Sequence, residues 1–142
     1  MDIPEIRRRL RAAIDEARRQ AEARRTRNDA AARDYEVFLE QRAVPLFHTV
    51  ASALVADGHQ FKVFTPANSV RLASQRSNEN FIELVLDTET NPPAVLGRVS
   101  RGRGRGGVSS ERPVLKGAAV ADLTEEDVLS FLLDEIAPFV ER

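Results

Sequence analysis

The sequence predicts an α+β fold: a long N-terminal helix, a second helix, a five-stranded antiparallel meander sheet, and a C-terminal helix packed on the sheet. Three observations carry this. Apolar residues recur at steps of three and four from Ile3 to Ala21 and again from Tyr35 to Val55. They then alternate at a step of two in short runs between Phe61 and Leu115, with turn residues between the runs. Helical spacing returns from Val128 to Phe139. Short connections between consecutive strands imply antiparallel pairing, and helices grouped before and after them make an α+β domain.

The first helix opens on Asp2, with Glu5 at capping-box spacing and Pro4 in the first turn, where its missing N–H costs nothing. Ile3, Ile6, Leu10, Ile14, Ala17 and Ala21 form one narrow stripe. Arg11–Asp15, Asp15–Arg19, Arg25–Asp29 and Asp29–Arg33 stand at four-residue spacing, and each such pair contributes about 0.2–0.5 kcal/mol. The stripe fades between Arg24 and Asp29 and resumes at Tyr35, Phe38 and Leu39. A hairpin turning near Thr26–Asp29 is one solution. A continuous helix to Gln41 is preferred, because neither Gly nor Pro interrupts the segment. The chain is accordingly divided into an arm, residues 1–42, and a body, residues 43–142.

A second helical segment covers 43–57, with Pro45 in its first turn or at a kink and Gly58 as its C′ residue. Strands are expected around Phe61–Val63, Val70–Leu72, 80–87, Val95–Arg101 and Val108–Leu115. The last two are joined by an Arg/Gly-rich loop. Alternation places Phe61, Val63, Val70, Leu72, Ile82, Leu84, Leu86 and Val99 on the core side. Lys62, Phe64, Arg71, Phe81, Glu83, Val85, Leu96 and Arg98 fall on the other side, where Arg71–Glu83–Arg98 can form a charge ladder. Thr124 caps the final helix, and Glu125, Glu126 and Asp127 suit its positive end. Pro138 is expected to end or kink it.

The 142 residues carry 21 basic and 22 acidic side chains, and 19 of the bases are arginine. The near-zero net charge argues against a uniformly basic polyanion binder, but the charge is divided. Residues 1–33 sum to +4 and the remainder to -5. With no cysteine, disulfide scaffolds, thiolate metal sites and cysteine nucleophiles are excluded. No apolar run is long enough to span a bilayer, and the Arg-rich N-terminus does not read as a secretory signal, so a cytoplasmic location is expected.

Signs of catalysis are scarce. His48 and His59 are the only histidines, and neither forms a recognisable triad with Ser52, Ser69 or Asp57. No nucleophile elbow is present. Glu36 and Glu40, and Glu79, Glu83 and Asp87, read as solvated faces rather than metal ligands, and no cofactor motif is found. The α-β-β-β-α order resembles double-stranded RNA-binding domains, and helices flanking a meander resemble small secretion chaperones. The acidic start of the last helix runs against the first likeness, which would place bases there.

The expected function is therefore a non-enzymatic interaction or adaptor protein. It would self-associate as a homodimer or similar oligomer through Ile6, Leu10, Ile14 and Ala17. A protein partner would bind the sheet face at Phe64, Phe81, Val85 and Leu96, or the Arg/Gly hairpin. The alternative is a nucleic-acid-binding accessory protein that uses Arg101, Arg103 and Arg105 with the arm cluster Arg7, Arg8 and Arg11.

Overall fold

The computed structural model describes residues 1–103 and 106–141, with Arg103 and Gly106 described by backbone alone. Helix α1 runs from Ile3 to Phe38 without a break, so the Thr26–Asp29 hairpin is not formed. Asp2 caps it by accepting from the Glu5 amide. Among the described residues, the arm's ion pairs join Glu5 to Arg8 and Arg9, and Glu16 to Arg19. The four spaced pairs expected from the sequence are not among them. Such exposed pairs contribute little in either arrangement, so helix continuity rests on propensity and the absence of breakers.

The rod does not stop at Gln41. A π-helical turn, Leu39–Ala43, links α1 to α2, Val44–Ala56. Pro45 lies in the first turn of α2 and has no N–H to give back to the preceding turn. Widening that turn to an i→i+5 pattern, with the Val44 amide bonded to the Leu39 carbonyl, carries the helix past the proline. Gly58 takes a positive φ of 90° after the C-cap Asp57, as its place at C′ requires.

The five strands are β1 Phe61–Phe64, β2 Val70–Ser74, β3 Phe81–Asp87, β4 Ala94–Arg103 and β5 Gly106–Pro113. They pair antiparallel in chain order, as a meander. The β4–β5 ladder extends to Arg103↔Gly106. The Arg/Gly run expected to form a loose loop is thus strand up to its tip, and Gly104 and Arg105 lie outside the described residues. Two contacts fix residue 102, and the second requires glycine. Its amide donates to Asn80 Oδ1 at 2.8 Å, and a β-carbon there would collide with Glu79. At the other end β5 stops at Pro113 rather than Leu115.

A short 3-10 turn, Val120–Asp122, leads into α3, Glu125–Val140. Thr124 and Asp127 form a reciprocal capping box. Pro138 does not end α3, which continues through it for two residues.

One face of the sheet carries Leu72, Ile82, Leu84, Val95 and Val99 into a core with Phe47, Val128, Phe131 and Leu132. Arm residues Ala31, Tyr35 and Phe38 are buried as well, and the last two belong to this core. The Tyr35 hydroxyl donates to the Asn68 carbonyl at 2.7 Å and lies 3.3 Å from that of Leu84. Burial chiefly, and the Glu83 carboxylate secondarily, push its phenol above the ordinary value of about 10. The sign follows from linkage: the unfolded chain ionises first, so this stabilisation is complete below pH about 10 and is lost as pH rises beyond it. Tyr35 is the only tyrosine and no tryptophan is present. Phenolate absorbance is therefore expected only together with unfolding. An ordinary phenol titration with unchanged circular dichroism would contradict the burial.

Candidate interaction surfaces

Four surfaces emerge. The first is the arm. From Ile3 to about Thr26, α1 is exposed over most of its surface, a length of about 36 Å at 1.5 Å per residue. Ile3, Ile6, Leu10 and Ile14 are exposed, Leu10 at 57 %, and Ala17 is exposed on the same stripe. Steps of three and four continue this stripe through Ala21 and Asn28 to Ala31 and Tyr35, where the body covers it. One helix face is thus buried at one end and bare at the other. Among the described residues, Arg7 and Arg11, which flank the bare part, make no salt bridge, whereas Arg8 reaches Glu5 at 3.7 Å.

The second surface is the open face of the sheet. Register aligns Phe64, Arg71, Glu83, Arg98 and Glu111 in one row across all five strands. Glu83 is 5 % exposed. Arg71 Nη2 lies 3.0 Å from its Oε2, Ser69 Oγ donates to the same oxygen at 3.3 Å, and Arg98 Nη1 stands 4.0 Å from its Oε1. Arg98 also reaches Glu111 at 2.9 Å. The expected three-residue ladder forms and extends to Glu111, which the sequence reading omitted. The buried carboxylate is satisfied by its neighbours, as buried polar groups generally are.

The apolar positions expected on this face divide. Phe64, on the edge strand, is 48 % exposed. Phe81 is half-buried under the Arg71 guanidinium, 4.1 Å from its ring centre. Val85 and Leu96 are half-buried and face each other across β3 and β4. Val85 lines a cleft of about 510 Å³ with Tyr35, Glu36, Ser69, Glu83 and Arg98.

The third surface is the β4–β5 hairpin. Arg101 is half-buried and pairs with Val108. Alternation sets it on the Val99 side, the helix side of the sheet. Only the backbone of Arg103 is described, and Arg105 lies outside the described residues, so the trio expected at the tip falls partly outside them. The arm arginines Arg7, Arg8 and Arg11 line a shallow cleft on the arm itself.

The fourth was not anticipated. Between α2 and α3 runs an apolar groove of about 220 Å³, lined by Val50, Ala53, Leu54, Leu129, Leu133 and Ile136, with Asp57 at its edge. Leu133 is 63 % exposed and Val55 is also exposed. The sequence signalled a wide apolar face on each helix. How the two faces divide between core and solvent depends on tertiary packing.

His48 and Ser52 are exposed, and His59 is half-buried in a small cleft with Gln60, Ser74 and Phe139. Among the described residues, no group of three or more His, Asp or Glu side chains is placed to hold a metal ion. No helix among them is long and apolar enough to cross a membrane. Comparison with protein families, with curated proteins and with solved structures finds no match.

Proposed function

We propose that this protein is a non-enzymatic interaction module that associates with a second copy of itself through the N-terminal arm and offers its open sheet face to a protein partner. The observation that supports this is the bare stripe of Ile3, Ile6, Leu10 and Ile14 on a helix whose same face is buried further along. Helical stability in proteins comes mainly from packing an apolar face, and this part of α1 leaves its apolar face uncovered in the single chain. Four large aliphatic side chains on one face, exposed together, mark a contact surface rather than incidental exposure. For the partner-binding surface, the support is Phe64, exposed on the edge strand in one cross-strand row with Arg71, Glu83 and Arg98.

Sedimentation of the full chain tests the association. A mass of at least two chains, falling toward one on dilution, is expected. A monomer at every accessible concentration would refute the proposal.

A further inference from the structure

The structure assigns a seat for the arm: we infer that the N-terminal helix of one copy lies in the α2–α3 groove of another, the two arms being exchanged reciprocally. This rests on the self-association proposed above and specifies where it occurs. The groove needs an occupant, because Leu133, which lines this apolar channel, is 63 % exposed. It has room for one. A cavity of about 150 Å³ lined by Leu, Ile and Phe takes up benzene, so about 220 Å³ accommodates the side chain of Leu10 or Ile14.

Charge identifies which helix fits. Helix α2 has no charged residue, and α3 has five acids and no base. Asp134 and Glu135 are engaged by Arg112, and Asp127 by the Thr124 amide. Asp57 at the groove edge and Glu126, three residues before Leu129 and seven before Leu133, make no salt bridge among the described residues. The arm supplies the complement: Arg7 and Arg11 beside an apolar stripe, likewise without a salt bridge among the described residues. The net +4 of residues 1–33 and -5 of the rest then attract across the contact. The arm does not occupy the groove of its own chain, because α1 runs unbroken from Ile3 to Phe38 and Ile3, Ile6, Leu10 and Ile14 are exposed. The donor is therefore a second copy, and reciprocal exchange closes the pair as a two-fold dimer.

The chain has no cysteine, so Leu10→Cys and Leu133→Cys each introduce a single thiol at an exposed position. The two full-length variants, each with wild-type circular dichroism, are treated with a short bismaleimide separately and as an equimolar mixture. The mixture is expected to give a heterodimer cross-linked between positions 10 and 133, identified by peptide mapping. Each variant alone is expected to give no more than a small fraction of that yield. Efficient self-cross-linking of either variant alone, or no cross-link in the mixture, would overturn the seat. Sedimentation of the wild-type chain separates the two levels. An oligomeric mass without the 10–133 cross-link refutes the seat alone, whereas a monomeric mass refutes the association on which it rests.

Discussion

Gly97→Val is expected to cost about 3 kcal/mol of folding stability, the upper part of the range for overpacking a well-filled site. Gly97 lies in the middle strand of a three-strand ladder, opposite Leu84 on β3 and Arg112 on β5. A β-carbon there would occupy the space of the Phe131 ring. Phe131 cannot yield, because it is fully buried against the core and the Arg112 guanidinium lies 4.5 Å from its ring centre. Arg112 is itself held by Glu135 at 2.8 Å and Asp134 at 3.4 Å. Strand propensity points the other way, since valine favours β structure over glycine by up to about 1 kcal/mol. The steric term is larger and decides the sign. A loss of about 3 kcal/mol lowers the melting temperature by roughly 10 °C in a chain of this size. Chemical denaturation measures it directly. Phe131→Leu in the Gly97→Val background should recover part of the loss, as expected for a coupled pair. A Gly97→Val protein as stable as wild type would contradict the packing.

Ile6→Glu combined with Leu10→Glu is expected to reduce the full chain to a monomer while leaving its melting behaviour under monomeric conditions unchanged. Both side chains are exposed in the single chain, so burying a charge within the fold is not at issue. In an assembly each would carry an unpaired carboxylate into an apolar contact, a cost of several kcal/mol per site. Removing the apolar contribution of two buried aliphatic side chains costs a further 1.5–3 kcal/mol or so each. These terms together exceed what a modest interface can lose, and light scattering reads the outcome. An unchanged oligomeric mass would show that some other surface joins the copies.

The sequence made some of this legible and left other parts to tertiary structure. Alternation put Arg71, Glu83 and Arg98 on one face because side-chain direction in a strand has a period of two, and register then aligned them. The absence of Gly and Pro between Pro4 and Pro45 was enough to predict one continuous helix. The π-turn at Leu39–Ala43 left no comparable trace, since a one-residue widening disturbs apolar spacing too little to notice. Arg112 was not placed on the helix side of the sheet, because an arginine packed against a core phenylalanine depends on acids that lie 22 and 23 residues away. The sequence did not single out Gly97, because only the packed structure sets the Phe131 ring where its side chain would be. The Arg/Gly run was read as a loop from its composition, but pairing with β5 extends the ladder to Arg103. Among the interaction surfaces, the arm stripe was legible because it is local to one helix. The α2–α3 groove was not, because it exists only where two helices separated by the whole sheet come together.

The most direct test of the central claim is hydrogen exchange of the arm amides, measured on the full chain at low and high concentration. A bare helix opens readily and its amides exchange fast, whereas a helix covered by another copy is protected by the free energy of association. Amides between Ile6 and Ala21 are predicted to gain protection as concentration rises, with those of the core strands β2 and β3 unchanged. Arm amides that exchange rapidly and equally at every concentration would contradict the account.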